Sequence, residues 1–193
     1  MGIEIEVKFR ATPEVIAVLR QDFPGQEQVI QMQTTYYDTP DGALSARHYT
    51  LRRRLENDLS ICTLKAPTSG FGRGEYELEC DCIESAIPEL CKLSGLEELP
   101  TLVQAGLTPV CGAAFTRIAK PLTLPGCTAE LALDQGILSG GDKEIPLCEV
   151  ELELKSGDQK TLLAFAKSLA GKYNLQLEQK SKFRRALALA KGE

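Results

Sequence analysis

Residues 4–10 read Glu-Ile-Glu-Val-Lys-Phe-Arg, with charged and apolar side chains alternating throughout. In a β-strand Glu4, Glu6, Lys8 and Arg10 share one face, about 7 Å between neighbours, and Ile5, Val7 and Phe9 share the other. The pattern recurs along the chain. Glu149, Glu151 and Glu153 oppose Val150, Leu152 and Leu154, while Arg73, Glu75, Glu77 and Glu79 oppose Tyr76 and Leu78. Arg52 and Arg54 share a face of residues 50–56, and Lys65 ends the next strand-like run. Glu130 and Asp134 share a face further on, with Arg117 in the strand before them.

Clustered carboxylates without His or Cys partners suit a hard divalent cation, Mg²⁺ or Mn²⁺. Interleaved Arg and Lys suit phosphate oxygens, and a guanidinium grips two of them at once. Acids, a hard metal and guanidinium clamps together describe a polyphosphate site.

A single charged strand face is ordinarily the solvated side of a sheet. Several such strands leave two arrangements. All the charged faces look outward, or the sheet closes with them inward, which also removes its exposed edges. An inward face this dense in both signs needs water, metal ions and a multiply charged ligand, because unpaired buried charge is costly.

The elements that carry these faces follow from spacing and capping. Thr12, Pro13 and the apolar Val15, Ile16 and Leu19 predict a short amphipathic helix after the first strand. Residues 29–38 read as a strand entering a Pro40-Asp41-Gly42 turn, and residues 48–67 as two strands joined at Asn57-Asp58. A strand over 73–82, a helix ending near Gly95, and strands over 113–124, 127–138 and 147–157 come next. Residues 158–173 and 180–191 read as helices; residues 96–115 read as helical or irregular. Amphipathic helices are thus available to cover the apolar strand faces. No linker, repeat or low-complexity tract interrupts the 193 residues, so one domain over 1–193 is expected.

Composition removes other chemistries. His48 is the only histidine, too few for a His-rich zinc site or a serine–histidine triad. The glycines of Gly70–Glu75 fit neither a Walker A loop nor a dinucleotide fingerprint and suit a hairpin loop. A formal net charge of −5 argues against nucleic acid as a partner. No apolar run reaches the ~20 residues of a membrane span, and seven cysteines without a C-x-x-C suit a reducing cytoplasm.

Glu4-Ile5-Glu6-Val7-Lys8 resembles the E-x-E-x-K signature of the CYTH superfamily, the triphosphate tunnel metalloenzymes. Further matches follow in order: residues 36–44, 51–54, Leu64-Lys65, residues 73–76, residues 132–136, residues 148–154 and Ser181-Lys182. The resemblance spans essentially the whole chain. It implies a β-dominated α+β fold: a closed eight-stranded antiparallel barrel with a charged lumen and helices packed outside. It also implies Mg²⁺ or Mn²⁺ at Glu4, Glu6, Asp134, Glu149 and Glu151, and phosphate binding by Lys8, Arg52, Arg54, Lys65, Arg117 and Lys182. Catalytic roles would fall to Glu75, Asp134, Arg52 and Arg54, with a second metal or one of the two acids positioning the attacking water. Ala119 departs from the Arg-x-Lys of the nearest relatives, and Lys120 would point to the other face.

The implied activity is hydrolysis of inorganic triphosphate to pyrophosphate and phosphate. Thiamine triphosphatase, class IV adenylate cyclase or a non-catalytic polyphosphate- or nucleotide-binding module are the alternatives. The absence of Trp and an aromatic content of 6% favour the bare anion, since an organic head group calls for a stacking platform. Glu77, Glu79 and Glu153 read as solvated acids at the tunnel mouth, and Arg53 as a surface cation. Tyr36, Tyr37 and Asp38 read as strand-end and turn structure, and His48 as an exposed or packed side chain.

Overall fold

The computed structural model describes residues 2–3 by backbone alone, then 5–67 and 73–193 in full; Glu4 and residues 70–72 of the glycine loop lie outside the described residues. The chain opens with β1 (Gly2–Ile3) and β2 (Glu6–Arg10). Helix α1 (Pro13–Asp22) starts where expected: Thr12 Oγ1 accepts from Val15 N, and Pro13 takes a position whose N–H would have no partner. Strand β3 (Gln28–Asp38) leads into the single turn α2 (Ala43–Ala46), whose N–H groups are held by the Asp38 carboxylate. Asp38 is thus the structural residue expected. Strands β4 (Thr50–Glu56) and β5 (Leu59–Pro67) form the hairpin across Asn57, whose φ of 55° supplies the turn. Next come β6 (Arg73–Glu79), α3 (Ile83–Ser94) closed by left-handed Gly95, and the turn α4 (Leu99–Leu102). Three long strands follow: β7 (Thr108–Leu124), β8 (Cys127–Gly140) and β9 (Lys143–Gly157). Helix α5 (Gln159–Tyr173), the two-residue β10 (Gln176–Leu177) and α6 (Lys182–Lys191) end the chain. Residues 108–115, expected to be helical or irregular, belong to β7.

All pairings are antiparallel, in the order β1-β6-β5-β4-β3-β7-β8-β9-β2-β10. The closed eight-stranded barrel is therefore corrected: among the described residues no continuous hydrogen-bonded ladder closes this sheet. β1 sits on β6 at one end of the order, while β2, its successor in the chain, sits on β9 near the other. The remaining edge of β2 at Phe9 and Arg10 is taken by β10, so it is not free to pair with β6. Its two ends meet through the chain itself.

Alternation sets the two faces of the sheet. Outward, Phe9, Leu131, Leu133, Val150 and Leu152 pack under Ile16 and Leu19 of α1 and Leu162, Ala166 and Leu169 of α5, joined by Ile5 and Val7. Leu51, Cys62 and Leu64 pack under Ile83, Ala86, Ile87 and Leu90 of α3. Each fully buried Leu or Ile contributes about 1.5–3 kcal/mol.

The expectation that every helix packs outside fails for α6. Its Phe183 and Ala186 rest on Met32, Tyr36, Cys111, Ala113, Phe115, Leu138 and Leu147. These lie on the same strand faces as Arg117, Asp134 and Glu149 (two residues per step), which is the inner face. Helix α6 therefore fills the concave side. Its seat requires Gly140, where an added Cβ would stand 2.2 Å from Ala186 O and 2.7 Å from Ala190 N.

Lys120, on the outer face as expected, is buried against Glu27 at 2.9 Å, and Arg20 holds the same carboxylate. Hydrogen bonds from Arg20 and then Lys120 lower the Glu27 carboxyl from 4.5 to about 2. A depressed carboxyl stabilises the fold above its unfolded value of 4.5, and this contribution is lost as pH falls toward about 2. Glu27→Gln is expected to melt a few degrees lower at pH 7, and to lose less stability than the unmodified protein between pH 5 and 2. Thermal melts across that range check both.

Candidate active site: a lumen with an acid wall and a cation wall

Register assembles the site. Across β7, β8, β9 and β2, Arg117 faces Asp134, Asp134 faces Glu149, and Glu149 faces Arg10. One step along, Glu151 faces Lys8, and beyond it Glu153 faces Glu6. Across β3, β4, β5 and β6, Tyr36 faces Arg52, Thr34 faces Arg54, and Lys65 faces Glu75. The concave side thus carries acids on β8 and β9 and cations on β4 and β5. Glu6, Lys8, Tyr36, Arg52, Arg54, Lys65, Arg73, Arg117, Glu151, Glu153 and Lys182 line the lumen between them.

The acid wall centres on Asp134, Glu149 and Glu151, all buried, with one carboxylate oxygen from each lying within 4.8 Å of the others. Arg117 clasps Asp134 with two hydrogen bonds of 2.8 Å and also donates to Glu151. Lys182 Nζ reaches all three acids, 2.9 Å from Asp134, 2.5 Å from Glu149 and 2.6 Å from Glu151. Burial opposes the charges of Glu151 and Lys182, but their mutual attraction wins. Lys182, Arg117 and Lys8 hold the Glu151 carboxyl well below the usual range, and Glu151, Asp134 and Glu149 hold the Lys182 ammonium above its own. Glu149 goes the other way, its carboxyl raised because burial outweighs Lys182 and Arg185. Three buried hard donors this close fit a small divalent cation such as Mg²⁺ or Mn²⁺.

The cation wall is less well compensated. Arg54 is buried, with Nε donating to Thr34 Oγ1 at 3.0 Å and its nearest acid, Glu56, at 3.7 Å. Burial, with the like charges of Arg52 and Arg117, brings its guanidinium down to about 10. Arg52 Nε is buried without a hydrogen-bond partner among the described residues. Glu75 holds Arg52 at 3.1 Å and Lys65 at 3.2 Å. Arg73 Nη2 donates to His48 O, Thr50 Oγ1 and Lys65 O, tying the start of β6 to β4 and β5.

The sequence-derived residues therefore divide. Lys8, Arg52, Arg54, Lys65, Arg117, Glu151 and Lys182 reach the lumen, and Asp134 and Glu149 lie behind it with Glu151. Glu6 lies in the lumen, paired with Lys8 at 2.9 Å and apart from the three-acid cluster. Tyr36, read as strand-end structure, lines the lumen with its ring 5.1 Å from that of Phe183. Lys182 sits against the acids, where the resemblance implied a phosphate ligand. Two residues, Arg185 and Glu178, escaped the sequence reading. Arg185 pairs with Glu149 and with Glu178, and Glu178, itself buried, accepts from Arg10 Nε at 2.6 Å. This chain of charges ties α6 to β9 and β2. The spacing of Lys182 and Arg185, three residues apart on one helix face, was the available signal.

A Haemophilus influenzae protein named inorganic triphosphatase is 31% identical over 194 residues, spanning 96% of this chain and 54% of the relative. The chain thus spans about half the length of that curated relative. A Hippeastrum structure described as having a dominant triphosphatase activity aligns with a TM-score of 0.72 at 18% identity, covering 99% of this chain and 97% of that one. A Pyrococcus horikoshii structure aligns at 0.62 and 21% identity, covering 97% and 99%. Both carry the same fold. The model of the CYTH domain matches residues 2–187, and the chain belongs to the CYTH domain family.

Proposed function

We propose that the lumen binds inorganic triphosphate together with Mg²⁺ or Mn²⁺ and hydrolyses it to pyrophosphate and phosphate. The observation that carries this reading is the opposition of the two walls: Arg52 with an unpartnered buried Nε and Arg54 with Thr34 as its main partner, facing Asp134, Glu149 and Glu151. Arg54, buried with its nearest acid at 3.7 Å, and Arg52, whose Nε stays unpartnered beside its pair with Glu75, call for a multiply charged anion, and the acids opposite call for a cation. The named activity of the Haemophilus relative supports the same substrate.

Hydrolysis breaks one P–O–P bridge and adds water across it. Arg52, Arg54 and Lys65 hold the phosphate oxygens and stabilise the charge that grows on them as the bridge opens. Glu75 acts through Arg52 and Lys65, whose head groups it fixes, and Asp134 through Arg117. A metal at Asp134, Glu149 and Glu151, with Glu6 on the neighbouring strand, would supply Lewis-acid polarisation of a phosphoryl oxygen. The buried outer wall of α1 and α5 fixes the strands, so the groups are positioned before substrate arrives.

A triphosphate bearing an organic group is the second reading, favoured by one feature. A cavity of about 610 Å³ adjoins the lumen, sharing Thr50, Arg73 and Phe183, with Tyr49, Pro67 and Leu187 among its walls. Phosphate release from inorganic triphosphate, thiamine triphosphate and ATP, each with Mg²⁺, Mn²⁺ or EDTA, decides between them. Inorganic triphosphate is expected to have the highest kcat/KM, with no turnover in EDTA. A clear preference for thiamine triphosphate or ATP would favour the second reading, and no turnover of any would leave a binding module.

A further inference from the structure

Lys182 is the first residue of α6, its backbone fixed by the Ser181 cap on Arg184 N and by Phe183 and Ala186 against the inner wall. Its ammonium lies within 2.9 Å of an oxygen of each of Asp134, Glu149 and Glu151, the space between these oxygens being where a divalent ion would sit. The local charges balance: three carboxylates against Lys182, Arg117 and Arg185. A divalent ion entering with the ammonium still in place would leave an excess of two positive charges and face it at contact distance. The two cations compete for one set of oxygens. Arg185 takes Glu149 Oε1 and Arg117 takes Glu151 Oε2, leaving to Lys182 the other oxygen of each acid, while Asp134 Oδ2 is shared by Arg117 and Lys182. Lys182 also borders the lumen beside Arg52 and Arg54, and its four-carbon stem lets the ammonium turn toward them.

We propose that Lys182 is a tethered stand-in for the divalent ion: metal binding at Asp134, Glu149 and Glu151 displaces its ammonium, which then moves to the phosphates. The proposal rests on the triphosphate-hydrolase reading above. It makes metal and triphosphate bind cooperatively, because the displaced ammonium finds a partner only when phosphate is present. Linkage requires the effect to be reciprocal. Lys182 is then a positioning residue for metal as well as a contact for substrate.

The test is calorimetric titration of Mn²⁺ alone, and of Mn²⁺ with imidotriphosphate as the uncleaved anion, into unmodified protein, Lys182→Met and Lys182→Arg. Lys182→Met keeps most of the side-chain length without the charge, and is expected to bind Mn²⁺ alone at least about tenfold more tightly than unmodified protein. Imidotriphosphate is expected to tighten Mn²⁺ binding in the unmodified protein and to do so much less in Lys182→Met. Lys182→Arg keeps the competing charge and is expected to stay weak for Mn²⁺ alone, and thermal melts of both variants, with Lys182→Gln in place of Lys182→Met if the latter does not fold, keep the comparison between folded proteins. Tightening in Lys182→Arg equal to that in Lys182→Met would overturn the exchange. So would Mn²⁺ affinity in Lys182→Met no higher than in unmodified protein, while metal-dependent hydrolysis would stand. Hydrolysis persisting in EDTA would instead remove the metal reading itself, and the exchange with it.

Discussion

Glu151→Gln is expected to lose roughly 10³-fold in kcat/KM for inorganic triphosphate and to melt well below the unmodified protein. Glu151 is the acid on which the lumen's cations converge, since Lys182 and Arg117 donate to it and Lys8 faces it from β2. Gln keeps the shape and one acceptor oxygen but no charge, so Lys182 and Arg117 stay buried with one carboxylate fewer. Removing one partner of a buried ionic cluster costs about 3–5 kcal/mol, far more than loss of an exposed ion pair. The carboxylates proposed to hold the metal fall from three to two. Steady-state kinetics over a metal titration, run beside thermal melts, reads both losses. Near-normal activity with an intact melting temperature would reduce these charges to a wetted face.

Arg54→Ala is expected to separate what Glu151→Gln joins. Its kcat should fall by about 10²–10³-fold, as for loss of one preorganised donor to a developing anion, with the metal concentration for half-activation little changed. Stability should hold or rise. Burial and the neighbouring Arg52 lower the Arg54 pKa to about 10, so the folded state disfavours its charged form at every pH below that value. Removing it relieves the repulsion among Arg52, Arg54 and Arg117 while leaving the acid wall intact. A site held against its own charge trades stability for function. A steep fall in melting temperature would show that Arg54 is a structural cation satisfied within the fold, and would weaken the anion reading.

The outer half of this structure was legible because period-two alternation survives wherever one strand face is charged. Residues 4–10 and 147–154 show it directly, and their register puts Lys8 opposite Glu151 as a charged lumen requires. Legibility failed where both faces are apolar. In residues 108–115 the outward residues are joined by Cys111, Ala113 and Phe115 facing inward beneath α6, so alternation vanishes and a strand looks irregular. For the same reason the place of α6 was invisible. An apolar stripe says that a helix covers something, and it fits the concave side of a sheet as well as the convex. The clue was a small residue: Gly140 on β8, where a Cβ would strike Ala186 O at 2.2 Å. Lys182 was found by resemblance, but only packing could place it among the acids. Arg185 and Glu178 make their contacts through that same packing, and were missed.

The pairing of β2 with β9 also has a consequence in time. Glu6 meets Glu153 and Arg10 meets Glu149, so β2 waits for a partner that is made much later in the chain. Long-range pairing of this kind is slow, and an unpaired strand is meanwhile an invitation to the same strand of another copy. Charges at every second position of β2 keep the nascent edge hydrated and in water until β9 arrives. The stripe that later faces the lumen thus guards the unfinished chain first, a duty that would press on these residues even in a descendant that had lost its chemistry.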